Sequence, residues 1–440
     1  MLTGTAFRNS STRLDLRQYR CRCLAVLIGC LAAISSVSGS TIASDWPQIL
    51  GPNRNGKIAD ESLPDSLPES LSIRWEVEIG EGYAGVAVAN GRVIAFHRQA
   101  ENEVVEAFAA EDGERLWRTE LPASYRGGIN PDTGPRAVPV ITQDRVIVWG
   151  AAGQLSCLEF ATGRELWSIN LFAEYRGDEN YFGAGSAPIV SGETVVVNVG
   201  GRRGAGIVGV DLKSGEVRWT STDEGTSYAA PIELEIDNQT VVVVPTRLQL
   251  IGLDARTGQE TFRFPFGRTG PTVNAAVPLV DEQNRLFVTA AYEIGAKLLE
   301  ITPTADGGQG VKAVWENNES ISSQYFTPVL HQGFLYGTDG REDFNNTSFR
   351  CVDLETGEVQ WEQAMAGAHV ILVGEDLVVV SIEGDVTIAR ASHTGFEPRL
   401  EQRLENAASR AMPAFANGCL YTRTNAVRGV GKLRCISLVE

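Results

Sequence analysis

Cysteine, histidine and positive charge are all in short supply in this chain. Three of the seven cysteines precede residue 31, leaving Cys157, Cys351, Cys419 and Cys435 with no CxxC spacing and no histidine at ligand distance in the sequence. That pattern excludes an ordinary structural zinc site. Lysine and arginine total 38 against 55 acidic residues, a formal charge of −17. A sequence-independent grip on nucleic acid phosphates is therefore excluded. No segment carries a sustained 3.6-residue apolar period, which argues against a helical array.

The positive charge that is present clusters at the start. Arg8, Arg13, Arg17, Arg20 and Arg22 are opposed only by Asp15, and an apolar run follows from Cys23 to Val37. Residues 1–44 read as an export signal with cleavage near Ala43 or Ser44, because fifteen apolar residues fall short of the ~20 needed to span a bilayer. A retained amphipathic anchor is the alternative. Leu27-Ile-Gly-Cys30 is similar to a bacterial lipobox and would make Cys30 the site of a lipid anchor. Removing the leader takes the formal charge to −21. The expected location is the periplasm or cell envelope, reached by the general secretory route.

Aligning the tryptophans exposes a repeat. AEDGERLW ends at Trp117, ATGRELW at Trp167, KSGEVRW at Trp219 and ETGEVQW at Trp361, while RTGQETF puts Phe262 in the same column. A weaker copy ends at Trp315, and SHTGFEPRL has lost its tryptophan. The aromatics lie 50, 52, 43, 53 and 46 residues apart. That period, with β-branched runs such as TVVVNV and LVVVSI, indicates propeller blades. In each copy a turn glycine supplies positive φ, and the aromatic is expected to pack between neighbouring sheets.

An Ala-x-Pro-like step before each valine-rich run gives the blade count. The small position of that step reads Ala84, Ala137, Ser186, Ala229, Ala276, Phe326, Ala368 and Ala411. Eight copies predict an all-β, eight-bladed β-propeller of four-stranded antiparallel blades, with the inner strands converging on a channel. The last unit runs out of chain before its fourth strand, and Ser72-Ile-Arg-Trp75 supplies one. The N- and C-terminal strands are thus expected to pair and close the ring. The predicted organisation is an export signal at 1–44, a clasp and linker at 45–70, and the propeller at 71–440.

The signature in VDLKSGEVRW and VDLETGEVQW resembles the pyrroloquinoline-quinone (PQQ)-like repeat, and DWPQILGPNRNG at 45–56 resembles the opening of many propellers in the non-enzymatic, BamB-like branch of that family. The resemblance covers residues 45–440 and implies a monomeric protein- or ligand-binding scaffold. Its other branch, the quinoprotein dehydrogenases, implies PQQ and calcium, a vicinal cysteine pair and an aspartate base. No adjacent cysteines occur here, and none of that ligand set transfers. A quinoprotein oxidoreductase, or a hydrolase or lyase using loop carboxylates, stands as the enzymatic alternative. No cofactor is expected from the scaffold reading.

The position preceding the small column should face the channel mouth. It reads Tyr83, Arg136, Gly185, Tyr228, Ala275, Tyr325, Gly367 and Arg410, with His369 close by as either a titrating mouth residue or a hydrogen-bonded core histidine. Arginine forks and tyrosine faces suit an anionic or saccharide ligand, or an acidic peptide. Pairing of those arginines with rim carboxylates is the competing expectation. Two loops share Tyr-Arg-Gly, giving Tyr125 and Arg126, then Tyr175 and Arg176, with Asp132, Asp178 and Glu179 as the nearest candidates for acid chemistry. Cys157, Cys351 and Cys435 read as small core residues. Cys419 and Cys435 are symmetric about Val427, so a hairpin in that register would bring them to disulfide range. Residues 339–345 read as a polar loop, and Arg54 as the one residue of the N-terminal clasp able to reach a ligand.

Overall fold

The computed structural model describes residues 44–439 except 180, 237–238, 305–307 and 405. The predicted leader and Cys30 lie outside the described residues. Eight antiparallel sheets of four strands succeed one another along the chain. Blades 1 to 7 occupy residues 87–122, 140–170, 189–221, 232–265, 279–317, 329–364 and 368–403. Blade 8 takes three strands from 414–437 and its outermost strand from Ser72–Ile79. That strand pairs antiparallel with Gly431–Ser437, so both ends of the chain share one sheet and the ring closes.

The repeat signature builds the contacts between blades. In VDLKSGEVRW, Asp211 accepts hydrogen bonds from the Lys213 and Ser214 amides at 2.9 and 2.7 Å. Gly215, at φ +75°, then closes the turn with its own N–H on the Asp211 carbonyl. A side chain there would need a conformation that L-residues avoid. It would also meet a neighbour, because the Trp167 indole of the preceding blade lies 2.7 Å from where a Cβ would stand. The indole nitrogen donates to the next blade as well, Trp167 to the Leu212 carbonyl at 3.0 Å and Trp117 to that of Phe160 at 3.0 Å. Trp75, Trp219, Trp315 and Trp361 make the same bond, to Ala110, Ala255, Leu354 and Ser392.

The small residues six before each turn glycine face the aromatic directly. Cys157 pairs with Trp167, Cys351 with Trp361, and Cys435 with Trp75 across the strands. A Cβ on Gly209 would fall 2.1 Å from Trp219. In blade 7, where tryptophan is lost, a bulge shifts the pairing and Ile388 faces Leu400 instead. Trp315 of blade 5 departs from the small-residue pattern with its ring in place, facing Leu298. The inner column is buried throughout, and its exception, Phe326, fits because the following blade offers Gly367, whose Cβ would stand 2.5 Å from the ring.

The hairpin register corrects the disulfide expectation. Cys419 stands opposite Ser437 and Cys435 opposite Tyr421, so the turn is centred one residue later than Val427 and the cysteines are diagonal rather than paired. Both are free, buried thiols, and the hydrogen bond with Cys435 lowers the Cys419 thiol below its usual range.

Residues 45–58 cross the ring from inside. Trp46, 1% exposed, exchanges backbone hydrogen bonds with Val88 of blade 1, and the Pro47 carbonyl accepts from Ile141 of blade 2. Lys57 and Ile58 add a parallel strand to the inner edge of blade 7. Between them the buried Arg54 donates from Nη1 to the Pro231 carbonyl at 2.9 Å, from Nη2 to the Pro188 carbonyl, and from Nε to Gln48 at 2.8 Å. Burial pulls its guanidinium down to about 9. The expectation that Arg54 reaches a ligand is thus corrected: all three nitrogens are spent on the protein, because the inner-strand carbonyls of blades 3 and 4 have no sheet partner at that point. The segment plugs the channel.

Two stability experiments follow from these contacts. Gly163→Ala would place a Cβ at φ +74° and 2.4 Å from Trp117, whereas Gly192→Ala, at φ +56°, meets nothing within 4 Å. Chemical denaturation is expected to show about 1 kcal/mol lost for the second and about 2–4 kcal/mol for the first. Arg54→Met leaves two buried carbonyls unpaired and is expected to cost about 2–4 kcal/mol, read as a lower midpoint without altered strand content by circular dichroism.

Candidate functional site

In a four-stranded meander, the loops between blades and those joining second to third strands emerge at one end. These loops surround a cavity of about 630 Å³ at the mouth of the channel. The side chains predicted for the mouth meet there: Tyr83, Arg136, Gly185, Tyr228, Ala275, Tyr325, Arg410 and His369 all line it. Ile49 of the plug lines it too, so the channel is a cup at this face. Gly185 is required beside Tyr228, since a Cβ would approach its Cδ1 to 2.6 Å.

Both mouth arginines are neutralised by carboxylates. Arg410 grips Glu342 with Nε at 3.1 Å and with Nη2, and the Tyr325 hydroxyl donates to the same carboxylate. This bond to Glu342 holds the Arg410 guanidinium above its usual range. Burial, reinforced by Glu342, pushes the Tyr325 phenol well up. Arg136 bonds Asp132 Oδ1 at 3.2 Å and the Asp132 carbonyl at 2.6 Å, with its guanidinium over the Tyr83 and Tyr125 rings at 5.2 and 5.6 Å. Of the two expectations for these arginines, carboxylate pairing is the one the geometry carries.

The other polar groups are similarly engaged. Tyr83 donates to Asn130 at 3.2 Å, and Tyr228 accepts from the amides of Tyr181 and Phe182 at 3.1 and 3.0 Å. Burial takes the Tyr228 phenol up to about 12. His369 is buried against Phe326 and Tyr325, and its Nε2 lies 3.1 Å from the Arg410 carbonyl, so that nitrogen carries the proton. Burial lowers its pKa to about 4, so the ring is neutral at physiological pH and His369 is the hydrogen-bonded core histidine of the two expectations rather than a titrating mouth residue.

The loop candidates separate. Tyr125 is buried beneath the mouth with its hydroxyl unpartnered, and Arg126 turns outward to Glu101 at 2.6 Å. Tyr175 ends a one-turn helix, Leu171–Tyr175, and Arg176 is its exposed cap. None of these four lines the cavity. Their shared Tyr-Arg-Gly is a local likeness, because the first copy lies in an irregular loop and the second at a helix end.

Several lining residues escaped sequence reasoning. Glu342 and Asp343 come from residues 339–345, read as a polar loop, whose 3-10 turn Glu342–Phe344 aims them inward. Tyr181 and Phe182 come from the second Tyr-Arg-Gly loop itself, where NYFGAG was the available signal. Tyr292 and Gln324 are bonded to each other at 3.0 Å and carried no sequence signal. Glu103, behind the mouth, caps the Ala151 amide at 2.8 Å, and burial raises its carboxyl to about 7.

A closed ring of eight four-stranded blades with a plugged channel and an aromatic cup defines a β-propeller of the PQQ-like repeat class. The chain belongs to the family described as outer membrane protein assembly factor BamB, whose model matches residues 101–363. It is 23% identical over 370 residues to the outer membrane protein assembly factor BamB of Burkholderia pseudomallei, covering 74% of this chain and 87% of that protein. Among solved structures, BamB from Moraxella catarrhalis superposes with a TM-score of 0.58 at 19% identity, covering 83% of this chain and 97% of that one. Quinohemoprotein alcohol dehydrogenase from Comamonas testosteroni gives 0.64 at 13% identity, covering 90% and 80%. These structural likenesses are of fold.

The His369 geometry sets a pH dependence. The unfolded imidazole protonates near pH 6.5 while the folded one resists until about 4, so the unfolded state gains protons first and stability falls as pH drops through that window. Complete titration corresponds to about 3 kcal/mol. His97, also lowered by burial, acts with the same sign. Denaturation of the wild type and of His369→Gln at pH 7 and pH 4 is expected to show a smaller acid loss in the variant.

Proposed function

We propose that this protein is an exported, non-catalytic scaffold of the cell envelope, a BamB-type propeller whose loop face engages a protein partner in outer-membrane protein assembly. The observation that carries this reading is the cup itself. Its floor is a segment of the same chain, and its charges are paired within its own walls. Such a surface is preorganised for recognition and, among the described residues, aims no free acid, base or nucleophile at a reacting atom. Family membership supplies the class of partner.

The quinoprotein reading draws on the fold likeness to the alcohol dehydrogenase, and the side chains do not fit it. PQQ is a planar tricarboxylate and needs uncommitted cations. Here Arg136 and Arg410 are held by Asp132 and Glu342. The four described cysteines lie in separate strands with no adjacent pair to cover a quinone. The fold is shared with those enzymes, and activity does not follow from fold.

The test is in two parts. A photo-crosslinking residue at position 129, on the rim, is expected to trap a discrete envelope protein in cells, while the same residue at position 216, in a turn at the opposite end of the blades, is expected to trap none. Purified protein given PQQ and calcium is expected to show no dye-linked alcohol oxidation, and a quinone-dependent rate would overturn the scaffold reading. Intact mass of the exported form decides between cleavage near Ser44 and acylation at Cys30.

A further inference from the structure

The cavity walls point to a ligand chemistry more specific than the sequence suggested. Each charged side chain drawn into the lumen has an opposite partner: Arg410 with Glu342, Arg136 with Asp132, and Arg341 with Asp343. A charged ligand would surrender its hydration there without an uncommitted counter-charge to receive it. The tyrosines are bound in the same way, with Tyr83 on Asn130, Tyr228 under two amides, Tyr292 on Gln324 and Tyr325 on Glu342. Tyr83 and Tyr325 spend their O–H on Asn130 and Glu342, whereas Tyr228 and Tyr292 accept and keep an O–H donor, beside the ring surface that all four bring to the lining. Ile49, Val138, Phe182, Val273 and Met412 complete a wall that is chiefly apolar. This favours an uncharged, apolar occupant over the anion or saccharide expected from the arginine and tyrosine content.

The rim indicates what presents that group. Ile129 is 73% exposed at the lip of the cavity, and Phe344, 65% exposed, stacks on Arg341 of its wall. Val427 and Val430, 67% and 48% exposed, flank the tip of the blade 8 loop, whose Asn425 holds the Arg410 amide. The other strongly exposed large apolar residues among those described, Ile73, Leu116, Val314 and Val359, sit singly on outer strands. Apolar surface thus continues from the lumen onto one face, which a free small molecule enclosed by the cup would leave uncovered. A volume of about 630 Å³ is also ample for a large side chain with its flanking backbone.

We propose that the cup receives an uncharged aromatic or branched aliphatic side chain from an extended segment of a partner polypeptide, with Ile129, Phe344 and the Val427–Val430 loop closing over the flanking residues. The proposal rests on the protein-partner reading above and names what the partner presents. A buried anchor surrounded by a water-excluding rim is the arrangement in which a few residues dominate binding.

The probes are blocked heptapeptides of sequence Gly-Ser-Phe-Ser-Ile-Ser-Gly, with Phe and Ile replaced together by Ala, Asp or Lys, titrated calorimetrically into the mature protein. The Phe/Ile peptide is expected to bind at least about tenfold more tightly than the Ala peptide, with the Asp and Lys forms weaker still. Ala275→Trp, which fills the lumen, is expected to abolish that preference. Should it lower the unfolding midpoint, Val273→Asp, which sets an unpaired charge on the wall, is the second variant. Equal binding of the charged peptides, absence of binding, or binding indifferent to a folded lumen variant overturns the proposal. So does uptake of the neutral dye N-phenyl-1-naphthylamine without uptake of any peptide, which would make the cup a small-molecule site. Crosslinking at position 129 that persists unchanged in the lumen variants would leave the scaffold function standing and remove this account of the cup.

Discussion

A tryptophan indole seated on the turn glycine of the next blade is the interaction from which the rest of the ring is assembled. It joins three requirements in one place: a glycine with positive φ, room where a Cβ would stand, and a carbonyl in reach of Nε1. Trp117 on Gly163 and Trp167 on Gly215 show all three. Six of the eight blades supply an indole to the next, so the contact sets the spacing of most neighbouring sheets around the axis. The residue facing the indole across the strands is alanine, cysteine or glycine in blades 1, 2, 3, 6 and 8, and leucine in blade 5. In blade 7 the loss of the aromatic coincides with a bulge shifted by one residue, so that Ile388 faces Leu400.

The plug answers a second constraint at the centre. Inner strands that converge on an axis leave backbone carbonyls without a sheet partner, and Arg54 satisfies those of Pro188 and Pro231 together. Trp46 on blade 1 and the short parallel strand at Lys57–Ile58 on blade 7 fix the two ends of the segment. The same segment contributes Ile49 to the cup, so the part of the chain that completes the fold also forms the floor of the candidate site. Fold and site share that residue because an eight-bladed channel is wide enough to need filling, and whatever fills it decides what depth remains.

Neutralisation of charge characterises the cup. Glu342 holds Arg410 and Tyr325 at once, and Asp132 holds Arg136, so residues that look like ligand grips in isolation become parts of the wall. His369 belongs to the same pattern, kept neutral by burial beside two aromatic rings. In the proposed role, a mouth built this way would discriminate by shape and polarity more than by charge.

Architecture was legible in the sequence because propeller repeats write their contacts locally. Turn, glycine and aromatic fall within ten residues, and the small inner column recurs at a readable interval. Eight blades, closure through Ser72–Ile79 and the convergence of Tyr83, Arg136, Tyr228, Tyr325, Arg410 and His369 on one mouth all follow from that periodicity. What those side chains do there was not legible. The partners of Arg410 and Arg136 come from loops outside the repeat, and the Glu342 to Arg410 contact spans 68 positions. Arg54 bonds carbonyls 134 and 177 residues away, and the one-residue shift at Cys419 and Cys435 was set by a loop conformation. Periodic sequence determined the ring and the residues at its mouth, since each repeat specifies its own neighbours. Tertiary structure alone decided which charges cancel, because irregular loops carry no period and find their partners only once the ring has closed.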